Sequence, residues 1–241
     1  MSTAEPHGDR APKRFYRDVS VVSRQDGFGI DLDKNTLKTP GRAPFALPVR
    51  ALAEAAAQEW RGQGARIDPA AMPLTALLNT AIDQVAQNAD AVRQDIRAFA
   101  ASDLVCYRAQ TPSGLVERQN THWDPVLAWA KTELGARFVL AGGIMPVEQP
   151  PPSLDRITLA LADVRPLPLA AAHMVTSLTG SALLALALAR GRMDAEVVWN
   201  AAHVDEDWQI DNWGEDAEAG ARRAGRRLAF DAAALVLSHS R

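Results

Sequence analysis

The sequence predicts an α+β protein: a small β-rich N-terminal domain, built as an antiparallel meander, followed by a larger, mainly α-helical C-terminal domain. Three observations carry that prediction. Between Phe15 and Pro48 apolar residues alternate over short runs separated by turn residues, the period-two pattern of strands. Beyond Pro48 they recur at steps of three and four, the period of helices. A chain of 241 residues holds one large domain or two small ones, and no fixed-period repeat points to a solenoid.

Residues 1–13 are expected to be a disordered tail. MSTAEPHGDRAPKR contains Glu5, Asp9 and two prolines but no apolar core, so it reads as neither a secretory signal nor an acid-free transit helix. The β-rich domain is placed at 14–75. FYRDVSVV is a β-branched strand, Gln25-Asp26-Gly27 a turn and FGIDL the return strand. Asp33-Lys34-Asn35 turns again, and TLKT and FALPV, split by Pro40-Gly41, complete four short strands. A helix from Arg50 to about Arg61 follows, with Leu52, Ala56 and Trp60 on one face and Gly62 and Gly64 as its stop.

The helical domain is placed at 76–241. Its helices are read from PLTALLNTAIDQV, ADAVRQDIRAFAA, LVERQNTHWDPVLAWAKTEL, SLDRITLALAD, PLAAAHMVTSLTGSALLALALARG and two final segments. The runs DLVCYRA and RFVLAGG interrupt them as β-like pieces that either join a sheet edge or pair locally.

Composition narrows the function. A net charge of −3 argues against nucleic acid as a partner, because phosphate-binding surfaces show a basic excess. The longest apolar run, Ala182 to Ala189, is too short to cross a bilayer, so no membrane insertion is expected. The lone Cys106, in an apolar run, reads as a small core residue in a reducing compartment. Twenty-two arginines against four lysines suit a bacterial cytoplasm. Phosphate loops, dinucleotide fingerprints, nucleophile elbows and zinc-ligand motifs are all missing, so the reading is a non-enzyme without cofactor or metal. His122, beside Pro125, and His173, in an apolar helix, read as structural histidines.

The segment HVDEDWQIDNWGED, 203–216, stands apart, with six acids, no base and two tryptophans. A single helix from Asp194 to Trp213, ended by Gly214, is expected here. At about 100° per residue, Val197, Ala201, Val204 and Trp208 form the row expected to be buried. Trp199, His203, Glu206, Ile210 and Trp213 form the opposite row, and Asp205, Asp207 and Asp211 lie on flanks where solvation is easy. Glu206, among apolar neighbours, pairs with His203, pairs with an arginine from elsewhere, or stands exposed in a contact patch. An alternative makes His203, Glu206 and Asp207 the ligands of a metal-dependent hydrolase. The last helix, from about Asp216 to Leu237, carries Arg222, Arg223, Arg226 and Arg227 on one face, suited to answer the acids.

DEDWQIDNWGED resembles the C-terminal motif of assembly chaperones of the F-type ATP synthase, the ATP-twelve chaperones. FYRDVSVV, LKTPGRAPFALPVRALAEAAAQEW, IDPAAMPLTALLNTAIDQV, WDPVLAWAKTELGARFVLAGGIMPVEQP and LTGSALLALALA are similar to that family in order and spacing. The resemblance spans about residues 14–237. It implies a two-domain protein that binds free ATP synthase α subunit and prevents its aggregation until it assembles with β. The family's functionally important acid would fall on Glu206, with Gln209 and Ile210 matching its neighbours; Asp211 and Trp213 complete the expected partner-binding set. Localisation would be cytoplasmic, with eukaryotic relatives in the mitochondrial matrix. Past the Trp-Gly pair, EDAEAGARR departs from the Val-Glu-Trp-x-His-Asp pattern of mitochondrial members, and nothing is carried over from that segment.

Overall fold

The alternating stretch folds into a hairpin in which β1 (Val19–Arg24) and β2 (Gly27–Leu32) pair antiparallel, Val19 opposite Leu32 and Arg24 opposite Gly27. This is a computed structural model that describes residues 12–143 and 147–240; most of the tail expected at 1–13 lies outside them. Gly27 has φ +134°, and a Cβ there would sit 2.5 Å from the Leu47 carbonyl oxygen, so both backbone angle and space demand glycine. β3 (Asn35–Thr36) adds two residues to the free edge of β2. The fourth strand does not form. FALPV meets the sheet through an isolated bridge of Leu47 with Phe28, while Pro44 ahead of it bridges Lys38 beyond β3; Pro44 and Pro48 have no N–H to extend a ladder.

α1 (Arg50–Arg61) lies across β1 and β2 and buries Leu52, Ala53, Ala56 and Ala57; Ile30, Leu32, Phe45 and Leu47 complete this core. The Glu59 carboxylate then accepts hydrogen bonds from the backbone N–H of Leu74 (2.8 Å) and Thr75 (2.7 Å), capping α2 (Pro73–Thr80) from a distance. Asp83 accepts from Thr39 Oγ1 (2.6 Å) and Gly41 N (2.8 Å). The chain divides into two compact units, one reaching Asp83 and one beginning at Gln84. The expected boundary at 75 therefore falls inside α2, because Glu59 and Asp83 tie the segment 73–83 to the sheet-bearing unit.

The second unit contains α3 (Ala89–Ala101), α4 (Ser113–Trp129), α5 (Pro151–Leu161), α6 (Pro166–Thr179), α7 (Ala182–Ala189), α8 (Ala195–Ala202), α9 (Val204–Trp213) and α10 (Ala217–Ser238). α7, apolar on every side, is its centre and touches α3, α4, α6, α8 and α10. The long run read as one helix from PLAA to LARG breaks where Gly180 takes a left-handed φ of +69°. Ser181 caps the new start by accepting from Leu184 N at 3.0 Å. Asp103, fully buried, accepts from Leu183 N (3.0 Å) and Val105 N (3.2 Å); its burial pushes the carboxyl pKa up to about 6 against these hydrogen bonds. The two β-like runs pair with each other. A 3-10 turn at Leu104–Cys106 leads into β4 (Tyr107–Arg108), parallel to β5 (Ala141–Gly142). Cys106 is a buried core residue whose thiol is pushed up to about 12, first by burial and then by the Asp103 charge. His173 pairs with Asp95 at 2.5 Å between α6 and α3. No described helix is long and apolar enough to cross a membrane.

Candidate functional site

Helix α8 opens after Asp194 and closes at His203, whose φ of −114° and ψ of 16° are not helical. α9 starts again at Val204. The single helix expected from Asp194 to Trp213 is thus two, and the break resets the phase of α9 relative to α8. Val197, placed in the buried row, is 45% exposed, whereas Trp199 and His203, from the opposite row, are buried. Ala201 and Val204 keep their buried places, and Trp208 is half-buried.

His203 is fixed on both ring nitrogens. Nδ1 lies 2.7 Å from the Trp199 carbonyl oxygen and donates to it, while Nε2 receives an N–H of Arg226. The ring stacks on Trp199 with centroids 3.9 Å apart. Burial, reinforced by Arg226 and Arg223, lowers its pKa below the ordinary histidine value, so the ring is neutral at pH 7. Neither nitrogen has a lone pair left for a metal. Among the described residues no group of three or more His, Cys, Asp or Glu side chains is placed to hold a metal ion, and the hydrolase alternative built on His203, Glu206 and Asp207 has no site.

The aspartates are not merely solvated. Asp207 pairs with Arg223 of α10 at 2.6 Å, Asp211 with Arg118 of α4 at 2.8 Å, and Asp205 accepts from Gln119 Nε2 at 2.7 Å. Helical wheels cannot show such partners, because all three lie on other helices. The α10 arginines do answer the acids as their spacing suggests. Arg226 reaches Glu206 at 3.3 Å, and Arg227 reaches Glu196 at 2.6 Å. Glu206 is half-buried, 3.8 Å from His203, so of the arrangements open to it the arginine pair and the histidine contact both occur.

The five residues expected to meet a partner leave α9 in three directions. Gln209 and Trp213 line an open, mostly apolar groove of about 410 Å³, whose other walls include Tyr107, Pro112, Leu115 and Trp208. Ile210 and Asp211 border a more polar hollow with Arg118, His122 and Asn200. Glu206 faces α10. Trp213, at the end of α9, is 78% exposed. Trp208 stands on a notch at Gly114, where a Cβ would fall 2.7 Å from the indole, and the Arg118 guanidinium lies 5.4 Å from its ring centre. The α4 and β4 side of the groove escaped the sequence reading. Gly114 beside Pro112 was its one local sign, and nothing in one sequence pairs it with Trp208.

An open, mostly apolar groove and an exposed indole beside an ion-paired helix make a surface suited to contact with another protein. The comparisons say which kind of protein carries it. The ATP12 chaperone protein family matches residues 13–131. Atp12 of Paracoccus denitrificans is 39% identical, with a TM-score of 0.86 over 95% of this chain and 99% of that one. An Asp-to-Lys mutant of that protein matches equally well, at 38% identity and TM-score 0.86 over 95% and 98%. A candidate chaperone from Agrobacterium tumefaciens is 48% identical, with a TM-score of 0.88 over 94% of this chain and 85% of that one. The chain belongs to the ATP12 chaperone family.

Proposed function

We propose that this chaperone serves assembly of the F-type ATP synthase, binding the free α subunit and keeping it from aggregating until it joins β. The likeness to Atp12 over 95% of the chain carries this reading. The second unit supplies what such a task requires, an apolar surface rimmed by charges that set register. The protein works in the cytoplasm without catalysis, cofactor or metal, and Glu206, Gln209, Ile210, Asp211 and Trp213 meet the client. Because these residues spread around α9, the client wraps that helix instead of docking on one face.

Glu206 is the decisive position. Glu206→Lys sets a cation against Arg226, beside His203. A half-exposed ion pair is worth about 1 kcal/mol or less, so the fold survives its loss. In a pull-down with purified α subunit the variant should capture about tenfold less, with circular dichroism and melting temperature close to wild type. Full capture by the variant would remove Glu206 from the site, and failure of the wild-type protein to hold α subunit would remove the client.

A further inference from the structure

We infer that the groove between α9 and the β4–α4 connection is a peptide-binding slot, and that its occupant is an extended apolar segment of the client carrying a lysine or arginine. This rests on the reading above for the identity of the client, not for the existence of the slot.

The lining is largely apolar. Tyr107, Pro112, Leu115, Trp208 and Trp213 all face the groove, and aromatic side chains of this kind anchor protein contacts because they bury much area with few torsions to freeze. Trp208 is immobilised from behind by the Gly114 notch and by Arg118, so the floor is preformed. Trp213 is the opposite case, an indole left 78% in water. A groove of about 410 Å³, open along its length, admits a few successive side chains and not a folded domain.

The groove leaves a charge uncompensated. The one cation among its described wall residues, Arg108, is buried and committed: Nε donates to the Val105 carbonyl, Nη1 to Asn120 Oδ1 and Nη2 to Asp124 Oδ1, at 2.8 to 2.9 Å. Asp205, which also lines the groove, accepts a neutral hydrogen bond from Gln119 and, among the described residues, pairs with no cation. Unlike Asp207 and Asp211, it keeps its negative charge available to whatever enters. Gln209 beside it is exposed and adds an amide able to pair with peptide backbone. The complement to this surface is apolar and positively charged.

The test uses three synthetic hexapeptides, acetyl-Gly-Leu-Val-X-Phe-Gly-amide with X as lysine, glutamate or norleucine, titrated against the full chain by tryptophan fluorescence. The lysine peptide should bind about tenfold more tightly than the glutamate one. Asp205→Asn, which keeps the acceptor for Gln119, should erase that preference while leaving the norleucine peptide unaffected. Trp213→Ala should weaken all three, and the lysine peptide should displace purified α subunit. Equal binding of lysine and glutamate peptides, or binding indifferent to both substitutions, overturns the slot. If both variants hold α subunit like wild type, the slot falls while the chaperone reading stands. If wild type ignores α subunit yet shows the peptide pattern, the slot stands and the client falls. A wild-type dimer in light scattering that Trp213→Ala converts to monomer makes a second copy the occupant and overturns the proposal.

Discussion

At Asp103 a carboxylate with no access to water holds the backbone N–H groups of Val105 and Leu183, eighty residues apart in sequence at the far one. Asp103→Ala leaves both donors buried without acceptors, at about 1–3 kcal/mol each, and the melting temperature should fall by roughly 5 °C or more. Calorimetry of the variant checks this; an unchanged transition would mean that water replaces the carboxylate. His203 is buried too but titrates the other way. Its folded pKa lies below the ordinary value of about 6.5, so the unfolded chain binds the proton first as pH falls. Stability contributed by His203 is thus whole above that value and is lost as pH drops from it toward the folded pKa. Asp103, raised to about 6, has the opposite slope between about 4 and 6, where the folded state binds more protons and acid stabilises. His203→Gln should therefore lose less stability than wild type on going from pH 7 to just below 6.5, measured by urea midpoints; identical pH profiles would assign His203 no linkage. The chemistry of these two residues was invisible in sequence. Nothing in the run DLVCYRA singles out Asp103, and His203 stands in the sequence only beside carboxylates, because their burial is made by helices distant in the chain.

Among the described helices α9 and α7 are opposites. Every residue of α7 except Ala189 is buried, whereas α9 buries Val204 alone. α9 is held instead by polar links, Asp207 to Arg223, Glu206 to Arg226 and Asp211 to Arg118. Exposed ion pairs are weak and are screened by salt. Hydrogen exchange should find the α9 amides opening well before those of α7, and faster still at 1 M salt than at 0.05 M. Equal protection of the two helices would show that α9 has apolar anchorage beyond what its burial implies. The sequence pattern did announce a helix over most of this segment, with Gly214 as its end. It did not announce the break at His203, because a non-helical pair of angles at one histidine has no composition of its own; nor did it show which face of α8 is covered, where Trp199 is buried and Val197 is not.

Across the whole molecule, the change of apolar period at Pro48 placed the sheet first and the helices after it, and this is the order observed. Period and turn chemistry act over a few residues, which is why the hairpin at Gln25–Asp26 and the ends of α1 could be read directly. The long-range ties could not. The Glu59 carboxylate that pulls α2 into the first unit, the pairing of β4 with β5, and the groove assembled from β4, α4 and α9 are all meetings of segments well apart in the chain. Of the candidate site, α9 and its exposed tryptophan were legible; the wall facing them was not.

The central place of α7 also bears on how the chain is made. ALLALALA is covered on one side by α10, which leaves the ribosome some thirty to fifty residues later. At about 5–20 residues per second, translation leaves that apolar helix without its last cover for several seconds. A nascent chain of this chaperone is, for that interval, itself an exposed apolar polypeptide.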